Sequence, residues 1–170
     1  MTTIEFELSE ASIDNAIEQV ESYKKKVKEN TKQLVEEAAT TLEEYAAFEL
    51  SKHVWTGETL ASLRKEFSRN SMTARVLVGG AAVWLEFGTG VVANGVSAGT
   101  YVHPKASELG MQPIGQYGWH HGSYSTGWYY YDEEGRRRHT YGIPTTMFMY
   151  HSAQNVARDL PEIGRRLFRT

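Results

Sequence analysis

The sequence predicts a chain in which long helices and antiparallel β-hairpins occur together, as in an α+β fold. From about residue 10 to residue 54, apolar side chains recur every three, four or seven residues without a Gly or Pro, which indicates an amphipathic helix. Two later segments, 64–79 and 126–142, contain alternating apolar and polar residues around turn residues, which is typical of hairpins. A second helical periodicity then closes the chain.

The first helix is unusually long. Ser9 is its predicted N-cap, and a length of about 65 Å follows from the rise per residue, more than a compact domain of this size can cover. The pattern allows one helix or two helices joined near residues 28–32. We expect part of the helix to overhang or break, and an overhanging amphipathic face to contact a partner. Val27 and Leu34 are the residues predicted at that interface.

The remaining elements follow from local signals. Thr56, Gly57 and Leu60 predict a turn, followed by strands at 64–70 and 73–79. A helical turn is expected at 81–88, with Val83 and Phe87 directed into the core. The second hairpin turns at residues 133–135, a helix covers 145–160, and Pro161 begins a new turn. We expect a single domain. The long helix would cover about 10–54, and the first hairpin together with the elbow, the turn at residues 86–90, would cover about 56–90. The insertion loop would cover about 91–127, and the second hairpin with the C-terminal helix about 128–170.

Composition excludes several classes of protein. The chain has no cysteine, which excludes disulfide scaffolds, thiol catalysis and cysteine-ligated zinc, and favours a reducing cytoplasm or indifference to redox. No apolar run approaches the roughly 18 residues of a membrane span, and the first residues have no basic and apolar regions of a signal peptide.

Charge is distributed unevenly along the chain. The net charge is −3, made of −6 in residues 1–55 (6 basic, 12 acidic) and +3 in residues 56–170 (12 basic, 9 acidic). Such a chain can pair with copies of itself head to tail. An ordinary solvated surface is the alternative interpretation.

Two apparent catalytic motifs lack the structural context that they need. The glycines at 88 and 90 fit the start of a dinucleotide-binding fingerprint, but Ala93 occupies the third glycine position and no Gly-Lys-Ser/Thr ending follows. The letters "GVSAG" at 95–99 match a nucleophile elbow, yet they have no predicted strand before them and no helix after them. We therefore predict no nucleotide or other cofactor.

The six histidines do not form a metal-binding pattern. His120 and His121 are adjacent, so their side chains diverge, and no two histidines lie at i, i+4. Surface histidines are the preferred interpretation, and no metal is predicted. A zinc or serine-dependent hydrolase, built in the first case from His103, His120, His121 and Glu108, stays open as an alternative.

A basic cluster follows four consecutive aromatic residues in the second hairpin. Arginines among aromatics can hold nucleic acid through phosphate contacts and stacking, and strand alternation would place Arg136 and Arg138 on the same side. A charged strand that protects a sheet edge is the preferred interpretation. The negative net charge argues against a small nucleic-acid-binding protein.

Four short segments, taken in order, resemble one family. They are "TGETL" (56–60), "VGG" (78–80), "WLEFGTG" (84–90) and "GIPTTMFMYHSAQNV" (142–156). This order is similar to that of the tail-completion or head–tail joining proteins of long-tailed phages, minor tail components of the neck, over about residues 10–165. The chain departs from the family at 53–55, where a Pro-Asp is usual, and at 145–148, which lack the Arg of an expected Arg-Pro-Phe.

The resemblance implies a small antiparallel sheet packed against the long N-terminal helix, a C-terminal helix beside it, and a long insertion rich in Gly and aromatic residues. It implies a non-enzymatic protein that forms a homo-oligomeric ring, expected to be a hexamer. The ring would lie in the neck of the virion, between the head connector or head-closure protein and the tail terminator or tail tube. Assembly would take place in the host cytoplasm, without a membrane.

The resemblance also suggests roles for individual residues. The elbow would release the insertion through glycines with positive φ; its residues are Glu86, Phe87, Gly88, Thr89 and Gly90. Aromatic residues of the insertion would dock on a neighbour, and the loop would become ordered on assembly; they are Tyr101, Tyr117, Trp119 and Tyr124. Arg136 and Arg138 are the candidates to face phage DNA transiently in the lumen.

Overall fold

A computed structural model of the protein describes residues 7, 9–53, 57–68, 70, 72–88, 103–105, 108–109, 128–140 and 145–169. The elements are, in chain order, α1 (Glu10–Ser51), α2 (Glu58–Ala61), β1 (Arg64–Ser68), β2 (Thr73–Leu77), α3 (Ala82–Phe87), β3 (Trp128–Tyr131), β4 (Arg137–Thr140) and α4 (Phe148–Leu167). Helices and antiparallel hairpins occur together, which confirms the predicted α+β class.

The chain divides into two compact units. Unit 1 contains Met1–Tyr45, Arg64–Leu77 and Ala153–Thr170; unit 2 contains Ala46–Leu63 and Val78–Ser152. The prediction of a single domain stays a prediction.

The helix α1 is continuous, without a joint near residue 30. Ser9 caps it as predicted, because its Oγ accepts a hydrogen bond of 3.3 Å from the N–H of Ser12. The helix ends at Ser51 rather than at residue 54. The N–H groups of Lys52 and His53 bond to carbonyls three residues back, a tightening typical of the last turn.

In unit 1, α4 packs antiparallel to α1. Three side-chain contacts join the two helices: Tyr45 with Asp159 at 2.6 Å, Glu37 with Arg166, and Asn30 with the carbonyl of Leu167 at 2.7 Å. The α1 partners move toward the N-terminus as the α4 partners move toward the C-terminus, which defines the antiparallel direction. The hydrogen bond to the Asp159 carboxylate raises the pKa of the Tyr45 phenol.

The β1–β2 hairpin packs against the same part of α1. Its antiparallel register runs from Arg64 opposite Leu77 to Ser68 opposite Thr73, and Lys65 Nζ donates to Thr40 Oγ1 at 2.7 Å. An apolar cavity of about 330 Å³ lies among α1, β2 and α4, lined by Leu34, Val35, Ala38, Ala39, Leu42, Ala74, Val76, Val156 and Leu160. The predicted packing of a small sheet and a C-terminal helix on the long helix is therefore confirmed.

The first part of α1 extends beyond α4. Because α4 ends beside Asn30, the helix from Glu10 onward projects by roughly 30 Å at 1.5 Å per residue. Its apolar residues are exposed there: Ile13 by 41%, Ile17 by 56%, Val20 by 50% and Tyr23 by 51%. The long helix thus overhangs rather than breaks, and apolar surface of this kind is the type that a partner usually covers.

Unit 2 has a small apolar core. Ala46, Leu50, Ala82 and Phe148 are buried, and Leu60, Leu63, Val78, Leu85 and Met149 pack around them. The predicted turn residue Gly57 has φ +78° and precedes α2, while Thr56 lies outside the described residues.

One predicted core residue is placed wrongly by the sequence pattern. Val83 is 37% exposed, and the buried side chains of α3 are Ala82 and Glu86. Residues four apart share a helix face, so burying the face of Ala82 and Glu86 turns Val83 toward solvent. Because Glu86 is acidic, the spacing of apolar residues does not indicate that its face of α3 is buried.

The second hairpin forms as predicted. Tyr129 lies opposite His139, and Tyr131 lies opposite Arg137. Gly135 adopts φ +73° in the connecting turn, a conformation that glycine adopts without strain.

The C-terminal helix differs from its prediction at Pro161. Instead of beginning a new turn, Pro161 lies inside α4, which is continuous from Phe148 to Leu167. Proline removes one N–H and crowds the carbonyl four residues earlier. Ala157 and Pro161 are both exposed, so water can bond the freed carbonyl and the helix continues.

We expect Phe148→Ala to lower the free energy of unfolding by about 3–5 kcal/mol, because Phe148 is 1% exposed at the centre of unit 2. Urea denaturation would measure the loss. The matched control is Phe48→Ala in the same unit. Phe48 is 61% exposed, and Lys52 Nζ lies over its ring at 4.3 Å, so the control should lose about 1 kcal/mol or less. Equal losses for both variants would contradict this placement of the core.

Candidate functional site

The predicted elbow supplies the cap of another helix. Glu86 is 7% exposed, and its Oε2 accepts a hydrogen bond of 2.8 Å from the N–H of Met149. Its Oε1 accepts one of 3.0 Å from the N–H of Tyr150. These are the second and third N–H groups of α4, the ones that an N-cap side chain ordinarily binds. A carboxylate at this end also interacts favourably with the helix dipole.

Glu86 caps α4 although it is distant in the sequence, because the residue at the N-cap position has no side-chain oxygen. Met147 occupies that position, since its carbonyl accepts the first bond of α4, from the N–H of His151, at 2.9 Å. Met147 also adopts φ +53°, an uncommon conformation for a residue with a side chain. Its N–H donates to the carbonyl of Glu86 at 3.2 Å, which holds it in place.

The capping is reciprocal, because the segment before α4 in turn caps the end of α3. Thr146 donates to the carbonyl of Leu85 from its N–H at 2.9 Å and from its hydroxyl at 2.7 Å. The Thr145 hydroxyl donates to the carbonyl of Phe87 at 2.9 Å. The last carbonyls of a helix have no partner within it, and here the two threonines satisfy them.

His103 completes the environment of Glu86. It is 6% exposed, and its Nε2 lies 2.8 Å from Glu86 Oε1. Its Nδ1 accepts a hydrogen bond of 3.1 Å from the N–H of Lys105. An accepting Nδ1 carries no proton, so the ring is the neutral tautomer that donates from Nε2. The ring also packs against those of Phe87 and Tyr150, with centroids at 4.6 and 5.2 Å.

His103 and Glu86 are the residue types of a general-base dyad, but their hydrogen-bonding atoms already have partners. Both ring nitrogens of His103 have partners, and both carboxylate oxygens of Glu86 accept backbone N–H groups. A catalytic base or a metal ligand needs a lone pair directed at the substrate or the ion. The arrangement instead fixes the start of α4 and the position of residue 103 against α3.

Gly88 provides the predicted release of the chain after the elbow. It is buried, and it adopts φ +75° with ψ 170°, a region open almost only to glycine. The prediction of a positive φ is confirmed for Gly88. Thr89 and Gly90 lie outside the described residues.

A second polar cluster surrounds Asp132 in the β3–β4 turn. Its Oδ1 accepts the N–H groups of Glu134 at 3.1 Å and Arg136 at 2.8 Å. Its Oδ2 binds the Nε atoms of Arg136 at 3.0 Å and Arg138 at 2.9 Å. The backbone bond from Arg136 first, and then the guanidinium groups of Arg138 and Arg136, lower the pKa of Asp132. The two arginines lie on one side, as predicted, and share one carboxylate.

The third arginine of the cluster lies on the opposite face. Arg137 stacks over the ring of Tyr129 at 3.9 Å, and that ring meets His139 edge-on at 4.8 Å. Neither Arg137 nor Asp132 is among the site residues predicted from the sequence. Asp at the first position of a turn is a recognised signal that would have identified Asp132.

The other predicted residues are placed as follows. Leu34 lines the apolar cavity of unit 1 and Val27 is half-buried. Glu108 binds Lys105 at 2.9 Å, away from the ring nitrogens of His103, and raises the pKa of that lysine. Six predicted residues lie outside the described part: Tyr101, Tyr117, Trp119, His120, His121 and Tyr124.

Comparison of the chain with models of known families, with curated proteins and with solved structures gave no match. Among the described helices, none is long and apolar enough to cross a membrane. Within the same described ranges, no three His, Cys, Asp or Glu residues are grouped in a way that could hold a metal ion.

We expect Glu86→Gln to destabilise the protein by about 3 kcal/mol. The amide keeps one acceptor oxygen, but it places an N–H₂ group against the N–H donors of α4 or His103. The loss would be measured by urea denaturation, together with amide exchange at Met149 and Tyr150. Glu133→Gln, an exposed carboxylate in the same unit, is the matched control and should change stability little. Unchanged exchange at both amides in Glu86→Gln would contradict the cap.

The β3–β4 turn should weaken in acid. Because the pKa of Asp132 is lowered in the folded protein, its contribution is fully present above the unfolded value of about 3.9 and is lost as pH falls through the folded value. We expect the amide protection of β4, corrected for intrinsic exchange rates, to drop between pH 5 and pH 2. In Asp132→Asn the protection should be low and nearly independent of pH. The same acid-dependent drop in that variant would refute the assignment.

Proposed function

We propose that this chain is a structural virion protein of a tailed phage, a tail-completion or head–tail joining component. Copies of it would form a ring, expected to be of six, between the head connector and the tail tube. The observation that carries this proposal is the reciprocal cap. The described parts of two of the four segments on which the resemblance depends, 84–90 and 142–156, supply both sides of it through Glu86, Thr145 and Thr146.

The reciprocal cap supports a scaffolding role for the elbow. Its polar atoms bond to one another: the Glu86 carboxylate with N–H groups of α4, and the threonine hydroxyls with carbonyls of α3. A site of this kind holds two helix ends and the chain leaving Gly88 in one geometry. A subunit that must present the same surfaces in every copy of a ring requires such rigidity.

The overhang of α1 supports self-assembly. Its exposed apolar residues give each copy a surface that its own α4 does not cover, since α4 ends beside Asn30. Of the two residues predicted at the interface, Leu34 already packs within unit 1. Val27 and the residues before it are therefore the better candidates for contact with another copy.

The remaining partners follow from the same proposal. The ring would contact the head connector or head-closure protein on one side and the tail terminator or tail tube on the other. DNA would pass through it transiently. Arg136 and Arg138 remain candidates for phosphate contact, because their side chains are 59% and 49% exposed although both bind Asp132.

The proposal is tested by disrupting the gene in the genome that carries it and examining the particles by electron microscopy. We expect filled heads and complete tails that do not join, and recovery when the intact gene is supplied. The purified protein should form rings by native mass spectrometry and negative-stain microscopy. Portal, capsid and tail-tube genes should lie alongside the gene.

A hydrolase would behave differently in the same experiments. A monomer that clears peptidoglycan in a zymogram, or that retains one zinc per chain by elemental analysis, would replace this proposal with a cell-wall or zinc hydrolase. Normal joined virions after disruption of the gene would exclude the head–tail role itself.

A further inference from the structure

We propose that the start of α1 in one copy packs antiparallel against the end of α4 in a second copy. The acidic stripe consists of Ile13, Ile17 and Val20 with Glu10, Asp14 and Glu18; the arginine face consists of Leu160, Gly164 and Phe168 with Arg165 and Arg169. The inference rests on the proposed function only for the closure of these contacts into a ring.

The charged residues of the acidic stripe lie along only one edge of its apolar residues. At about 100° per residue, its three apolar residues lie within about 60° of one another, and its three acids follow along one flank within about 80°. Residues 7–23 contain no Lys or Arg. In the described part of the chain, Glu10, Asp14 and Glu18 form no ion pair. The stripe therefore presents apolar surface bordered by uncompensated negative charge.

The arginine face has the complementary composition. Leu160, which also lines the cavity of unit 1, and Phe168, which directly follows α4, are each 38% exposed. A Cβ placed on Gly164 between them would meet no atom within 4 Å. Arg165 borders this strip on one flank and Arg169 lies two residues beyond the last residue of α4; neither forms an ion pair within the described residues. Arg166, in contrast, is bound to Glu37.

Helix geometry specifies the direction of the contact. Viewed from N- to C-terminus, the charged flank follows the apolar strip in the same rotational sense on both helices. When two such helices pack face to face, only the antiparallel arrangement brings both charged flanks to the same side. That arrangement pairs Glu18 with Arg165 and brings Asp14 beside the end of α4, where Arg169 follows. The apolar spans, about 10 Å from Ile13 to Val20 and about 12 Å from Leu160 to Phe168, also match.

The partner must be a second copy rather than the same chain. The α4 helix ends beside Asn30 of its own α1, about 15 Å beyond Val20 along a helix that is continuous. Its own arginine face therefore cannot reach the stripe. A helical segment of this length without packing is marginally stable in water, and contact with a second helix supplies the missing burial.

Charge reversal tests the pairing. Asp14→Lys/Glu18→Lys and Arg165→Glu/Arg169→Glu should each weaken self-association at least tenfold by sedimentation velocity at low salt. A chain with all four changes should recover it, and so should a mixture of the two double variants. Glu36→Lys/Glu44→Lys, exposed on α1 away from the stripe, is the matched control and should associate normally. Circular dichroism would check that every variant is folded.

Cross-linking provides a second test, because the chain has no cysteine. Ile17→Cys mixed with Gly164→Cys should give disulfide-linked dimers on mild oxidation, whereas Ser22→Cys, on the opposite side of α1, should not link to Gly164→Cys. Rings that form without this cross-link and without any effect of charge reversal would overturn the pairing but leave the proposed function intact. If copies cross-link and associate in a charge-dependent manner but never form rings, the pairing of the two helices would be supported and the proposed ring would be excluded.

Discussion

The helix α4 is preceded by an N-cap residue, Met147, that has no side-chain oxygen for the N–H groups of the first turn. The carboxylate of Glu86, 63 residues before Met149, accepts two of them. The same carboxylate is bound by His103. The carbonyls of Leu85, Glu86 and Phe87 accept hydrogen bonds from Thr146, Met147 and Thr145 respectively. Removing this one group would leave buried donors without partners, which costs more than the bonds themselves contribute.

The cap also explains how a small core can hold unit 2 in one arrangement. Four buried apolar residues form its centre, and apolar contacts of this number specify a geometry only loosely. Hydrogen bonds are directional. The reciprocal cap adds fixed distances at the junction where Phe148 enters the core, and Gly88 allows the chain to leave the same junction without strain.

Unit 1 is organised by a different constraint, the length of α1. The α4 helix and the β1–β2 hairpin cover the helix from about Asn30 onward, and the earlier turns keep their apolar residues exposed. The charges are distributed accordingly, with acids along the uncovered turns and, near the end of α4, Arg165 and Arg169 without an ion pair among the described residues. A subunit with uncovered apolar surface and complementary charge at two separate places is suited to repeated contact with its own copies.

Much of the secondary structure could be predicted from the sequence, because it depends on local chemistry. The spacing of Ile13, Ile17 and Val20 indicates a helix, Ser9 indicates its start, and residues 133–135 indicate a turn between strands. These signals act over a few residues, so tertiary context changes their outcome little. The exceptions are instructive: Pro161 predicts a break, yet its solvent-exposed position allows the helix to continue.

Only the tertiary structure decided which residues meet. An exposed glutamate and a buried one look alike in the sequence, and apolar spacing therefore favoured Val83 for the core where Glu86 is buried. The partners of Glu86 lie 17 to 64 residues away, a separation at which no periodicity links them. The sequence by itself determined the helices, the hairpins, the turn glycines and the uneven charge, since each is set by neighbouring residues. The caps, the shared carboxylate of Asp132 and the uncovered length of α1 depend on distances across the folded chain.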